Sequence, residues 1–158
     1  MVTEQEKAKY GQSADRKDSF DDTLEVISIR SFLKSKYPEH EIVEKPYGIY
    51  GIDVVVRKDG KDILWVELER SMGWIGNFRY KSASFLERKY HFIDEAKQQG
   101  AQFLMCYFER NHRQIMTIDG EIIKQYEPFK KYLRSGSCDY VRHIELDDVN
   151  FHNLISTR

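Results

Sequence analysis

An α/β fold, with a mixed central sheet flanked by helices, is the expectation this sequence raises. Three features point to it. Two apolar runs, Ile52 to Val56 and Ile63 to Leu68, flank the turn-forming pair Asp59-Gly60, as the strands of a hairpin do. Apolar residues recur at helical spacing before the hairpin, from Phe20 to Leu33, and after it, across residues 87 to 99. A continuous apolar run from Ala101 to Phe108 then reads as a central strand covered on both faces.

Taken in order, residues 1–18 are polar and charged and predict a flexible N-terminal segment, with residues 19–158 as one domain. Ser19 can cap a first helix, Asp21 and Asp22 suit its positive end, and Leu24, Val26, Ile27, Ile29 and Leu33 supply its stripe until Tyr37-Pro38. Glu25 lies beside that stripe, either turned inward over a sheet or solvated. A short strand from Glu41 to Lys45 leads through Pro46 and Gly48 into the hairpin. Residues 71–77, with two glycines and a lone Trp74, look like a mobile loop. Residues 78–86 fit a strand or the start of a helix, and the helix over 87–99 stops at Gly100. Lys89 shares its face with Phe85, Phe92 and Ala96, so it either reaches a site or snorkels to solvent. After the central strand, Asn111-His112 turns into a return strand at 114–118, and Asp119-Gly120 makes another turn. Residues 128–133 read as a third helix, 135–137 as a loop, Tyr140 to Leu146 as an edge strand, and Asp147-Asp148 as an acidic turn.

With 25 basic residues against 26 acidic ones, no global field draws the chain to nucleic acid or to an anionic membrane. Any basic surface is local, such as the five basic residues against three acidic ones between Arg79 and Lys97. Cys106 and Cys138 form no CxxC pair, and the five histidines show no metal-binding spacing. No glycine-rich phosphate loop is present, since Gly48 and Gly51 fit neither common pattern. No run has the length of a signal peptide or a membrane span, so a soluble cytoplasmic protein is expected.

Three carboxylates, Asp53, Glu67 and Glu69, interrupt the apolar strands of the hairpin. Burying an unpaired carboxylate costs several kcal/mol, so acids placed this way call for a cation, and a divalent-metal site is the expectation. The bland alternative is a set of edge-strand charges that discourage aggregation. Side-chain alternation sharpens the choice, because Glu67 and Glu69 share a face but Asp53 joins them only if the hairpin has the right parity. A two-residue Asp59-Gly60 loop would pair Asp53 with Val66. A three-residue loop with a bulge puts all three acids together, so the metal hypothesis predicts an odd-numbered loop.

The order helix with Glu25, strand, strand with Asp53, strand with Glu67-Leu68-Glu69, helix with Lys89, strand resembles the PD-(D/E)xK nuclease superfamily. Asp53, thirteen intervening residues and Glu67-x-Glu69 fit that family's second and third motifs, over roughly residues 19 to 109. The resemblance implies a restriction-endonuclease-like α-β-β-β-α-β core. The third motif departs from it, ending in Glu69 where the family carries lysine, and three readings stay open. An acid takes the lysine's place, as in BamHI-like enzymes; the lysine has moved to the following helix, as Lys89 or Lys81; or activity has been lost.

The resemblance further implies a nuclease using Mg²⁺ or Mn²⁺. Asp53, Glu67 and the Leu68 carbonyl would be metal ligands, Glu25 a water-mediated ligand, Glu69 a general base or second-metal ligand, and Lys89 a polariser of water or phosphate. Arg70, Arg79, Lys81, Arg88 and Arg113 become candidates for phosphate contacts, against the plainer reading of solvated surface charges. Nucleic acid, DNA before RNA, is the implied partner, and a homodimer would suit double-strand cutting. Small nucleases of this kind are often carried by phages, mobile elements or restriction systems.

Overall fold

The computed structural model describes residues 23–132 and 136–154. The N-terminal segment expected over 1–18, the Ser19 cap, the Asp21-Asp22 first turn and residues 133–135 lie outside that range. In chain order the elements are α1 (Thr23–Lys36), β1 (Glu41–Glu44), β2 (Val54–Lys58), β3 (Lys61–Ser71), β4 (Ser82–Leu86), a 3₁₀ turn (Glu87–Lys89), α2 (His91–Gln98), β5 (Gln102–Glu109), β6 (Gln114–Asp119), α3 (Gly120–Ile123), β7 (Phe129–Tyr132), β8 (Cys138–Glu145), a 3₁₀ turn (Leu146–Asp148) and β9 (Asn150–Asn153). The architecture is mixed α/β.

The long strands form a six-stranded sheet in the order β1-β2-β3-β5-β6-β9. Its β3–β5 pair is parallel, and the other neighbours are antiparallel. Alternation along β3 and β5 gives this sheet two apolar faces. Leu64, Val66, Leu68, Cys106 and Phe108 pack with Val26, Ile29 and Leu33 of α1. Trp65, Met105 and Tyr107 pack with Phe92, Ile93 and Ala96 of α2 and with Ala83, Phe85 and Ile144 of a second, three-stranded sheet ordered β4-β8-β7. The expected central strand is thus β5, covered on both sides.

The hairpin corrects the expected loop length while keeping its consequence. Lys58 pairs with Lys61, so the loop is the two-residue Asp59-Gly60, with φ of 53° and 75°. Both left-handed values match a type I′ turn, which follows the right-handed strand twist. Parity changes inside the ladder instead: Arg57 pairs with Asp62 but Val56 pairs with Leu64, so Ile63 is an extra residue bulged out of β3. One step past the last pair, Val54 with Val66, Asp53 and Glu67 therefore stand on the same face.

Several local expectations are corrected by tertiary pairing. Residues 129–132 are not helical, because their backbone completes a ladder with β8, from Phe129 opposite Val141 to Tyr132 opposite Cys138. The expected edge strand β8 is the middle strand of the second sheet, flanked by β4 and β7. Asp119-Gly120 opens a one-turn helix, where the Asp119 carboxylate accepts the Glu121 N–H at 2.8 Å. Trp74 is no loop ornament: it is 1 % exposed, and its indole N–H donates to the Gly76 carbonyl at 2.8 Å. Glu109 ties the loop down by accepting the N–H groups of Gly76, Asn111 and Arg113 at 2.9 to 3.1 Å. No described helix is long and apolar enough to cross a membrane.

Candidate active site

The bulge brings Asp53, Glu67 and Glu69 to the α2 side of the main sheet. Glu67 has no exposed surface and Asp53 is 2 % exposed, so the reading as solvated edge charges falls. A buried acid needs a counter-charge. Lys89 provides it, with its ammonium 3.4 Å from Glu67 and 3.8 Å from Glu69. Burial pushes that ammonium's pKa down, but Glu69, Glu67 and Asp53 together outweigh burial and hold it above the ordinary lysine value. The lysine is therefore a fixed positive charge at neutral pH. Lys89 thus turns inward onto the acids and does not snorkel to solvent.

Asp53 is positioned by the point where β2 leaves β3. Its Oδ2 accepts the Leu68 N–H at 2.9 Å, a bond that a continuing β2 would otherwise have made. The Leu68 carbonyl lies on the same edge of the strand as that N–H. Glu69 is the site's opening, with 35 % of its side chain exposed. Behind it Tyr107 donates its hydroxyl to the Ser84 carbonyl at 2.8 Å. Burial first, then the Glu69 and Glu67 charges, raise the Tyr107 pKa well above that of an ordinary phenol. Tyr107 is thus a neutral tie between β5 and β4.

Other expected members stand elsewhere. Glu25 is buried on the opposite, α1 face of the sheet, where its Oε1 accepts from Arg70 Nε at 2.5 Å and lies 3.1 Å from His112 Nε2. Alternation explains this: Arg70 follows Glu69 in β3 and so points the other way. The grouping of Glu25 with Asp53, and of Arg70 with free phosphate contacts, is corrected accordingly. Arg88 is engaged by Asp139 at 2.6 Å, which removes it from the free cations. Arg79 and Lys81 are exposed in the segment before β4, whereas Arg113 is exposed on the β5–β6 turn near His112, away from the acids.

Donor chemistry decides whether the implied metal suits this site. Asp53, Glu67, Glu69 and the Leu68 carbonyl offer only hard oxygens, which suit Mg²⁺ or Mn²⁺. Among the described residues no three His, Cys, Asp or Glu side chains already converge into a metal-holding group. Asp53 and Glu67, with the Leu68 carbonyl, would hold the ion, sharing with it the charge that Lys89 now neutralises.

Sequence reasoning missed the surroundings of this opening. A cleft of about 290 Å³ runs past Glu69 between Phe78, Tyr80, Ser84, Tyr107 and Lys131. Lys131 was hidden by the helical reading of its segment. The spacing of Phe78 and Tyr80 around Arg79 was a readable signal for two aromatics on one side of an extended stretch. No protein-family model matches the chain, and no curated protein shows significant similarity to it.

Proposed function

We propose that this chain is a divalent-metal-dependent nuclease that hydrolyses phosphodiester bonds within nucleic acid, DNA before RNA. The observation that carries the reading is the placement of Asp53, Glu67 and Glu69 on one face, with Lys89 meeting Glu67 and Glu69 from the turn that follows β4. The strand order supports it too, since α1, β1, β2, β3, α2 and β5 reproduce the helix and strand succession of the PD-(D/E)xK core with β4 as an insertion. It favours the second of the three readings of the third motif, the lysine displaced to the following turn.

When bound, Mg²⁺ supplies charge stabilisation to the phosphate and lowers the pKa of an attached water. Lys89, kept protonated by the three acids, acts as an electrostatic partner of the phosphate and not as a base. Glu69, the acid with solvent access, is the group that takes the proton from the attacking water. Asp53 and Glu67 would hold the ion, and Leu68 fixes the Asp53 rotamer through its N–H.

Purified protein is expected to cut single-stranded, double-stranded or branched DNA or RNA in Mg²⁺ or Mn²⁺, and the Asp53→Asn, Glu67→Gln double variant to fall to background. Equal cleavage by both proteins, or none by either, rejects the reading. One observation favours a second reading, an inactive nuclease-like module that binds nucleic acid or protein: the Lys89 ammonium already compensates Glu67 without any ion. Calorimetry that finds no divalent-ion binding while nucleic-acid binding is intact would select it.

A further inference from the structure

We infer that the cleft beside Glu69 is a binding subsite for one unpaired nucleotide, so that the substrate is single-stranded nucleic acid or an unpaired segment of a duplex. The inference rests on the nuclease reading and specifies its substrate. Of the three acids Glu69 is the open one: Glu67 and Asp53 are closed to solvent, while Glu69 is one-third exposed and lines the cleft. A phosphate that meets Glu69 from solvent, with the Lys89 ammonium 3.8 Å behind that carboxylate, lies in this cleft. Its volume of about 290 Å³ stands at the lower limit of the ~300–1,000 Å³ range of small-ligand sites, enough for a nucleotide and far too little for a duplex.

The walls have the chemistry of such a unit. Phe78 and Tyr80 form an edge-to-face pair with ring centroids 5.3 Å apart, and Tyr80 keeps 51 % of its surface exposed. An exposed aromatic beside a cation is the usual platform for an unstacked base. The phenol end of Tyr80 rests against Gly73, where an added Cβ would meet its oxygen at 2.2 Å, so the loop's own glycine lets the ring lie down. Lys131 contributes the cation. Asp139, its cross-strand neighbour on β8, is taken by Arg88, and Lys131 is exposed with no ion pair among the described residues. Near-neutral net charge agrees with a partner held by one local cation and by stacking, not by a broad field. A single-strand substrate also removes the need for paired active sites in a homodimer.

The test is fluorescence-anisotropy titration of the full chain with a labelled single-stranded oligonucleotide and with its duplex, both in Ca²⁺. The expected result is preference for the single strand, and about tenfold weaker binding for Lys131→Ala and for Tyr80→Ala, the size of one lost stacking or phosphate contact. Lys131→Ala is also expected to reduce the slope of log affinity against log salt by about 0.7, the value for one phosphate contact on a single strand. Tyr132→Ala, on the opposite face of β7, is the control and is expected to bind as the native chain does. Native-like binding by both cleft variants, an equal loss in Tyr132→Ala, or equal affinity for the duplex overturns the subsite while Mg²⁺-dependent cleavage still upholds the nuclease. Absence of both binding and cleavage overturns the two together.

Discussion

Lys89 decides what the acid cluster costs the fold. It is 6 % exposed and faces Glu67, which is fully buried, so neither charge can turn to water. Removing one member of a buried pair strands the other, at about 3–5 kcal/mol. Lys89→Ala is expected to lose stability on that order in urea denaturation at neutral pH, whereas Lys89→Met combined with Glu67→Leu is expected to recover most of it. The sign with pH follows from the direction of the shift. Folding raises the lysine's pKa above 10.5, so its contribution is complete below that value and is lost as pH climbs through the folded value. The native chain should therefore weaken above pH 10.5 in a phase that the double variant lacks, measured as the difference between their urea midpoints.

The bulge in β3 is where this hairpin departs from what its residues announce. The turn's place was legible, because Asp59-Gly60 between apolar runs is a local signal, but its two-residue length was not, since the parity of the acids points to an odd-numbered loop. The bulge was not legible, because its cause lies across the sheet. Asp62 accepts hydrogen bonds from Arg57 Nε at 2.7 Å, from Trp65 Nε1 at 2.9 Å and from the Tyr47 hydroxyl. Trp65 lies three residues on, and both side chains can face one way only if Ile63 is squeezed out between them. The same limit hid β7, whose Lys-Lys and flanking Pro128 say little until β8 is beside them, and β9, a polar edge strand held by β6. By contrast the acids, their spacing and the candidate lysine could be read directly, since burial of charge among apolar neighbours is itself the signal. Asp62→Ala should cost about 1–3 kcal/mol, the penalty for polar partners left unsatisfied. Burial alone would raise the Asp62 pKa, but the bonds from Tyr47, Arg57 and Trp65 outweigh it and hold the carboxyl below the ordinary value of 3.8. Its contribution is therefore present above pH 3.8 and fades as pH falls through the folded value. Acid titration of stability should show the native chain converging on Asp62→Ala below about pH 4.

A buried arginine of the second sheet braces the turn that carries Lys89, and so reaches the candidate site. Arg142, in the middle strand of the second sheet, forks onto both carboxylate oxygens of Glu87 at 2.6 and 2.8 Å. It also donates to the Tyr126 carbonyl at 2.8 Å and lies over the Tyr90 ring at 4.2 Å. Glu87 and Tyr90 bracket the turn that holds Lys89, so the guanidinium braces both ends of that turn. Planar bidentate pairing is something an ammonium cannot copy, so Arg142→Lys is not a neutral exchange. Arg142→Lys is expected to lower the urea midpoint, by about 2–3 kcal/mol once the partial exposure of Glu87 is allowed for, and to lower cleavage at saturating substrate more than it raises KM. Because Trp65 and Trp74 are both buried in the cluster on the α2 face of the main sheet, their fluorescence reports that face while far-ultraviolet circular dichroism reports both sheets. Coincident transitions in the native chain, and a separation of the two signals in Arg142→Lys, are the expected result. A variant that loses stability yet cleaves at the native rate would reduce Arg142 to a structural tie and detach the position of Lys89 from the second sheet.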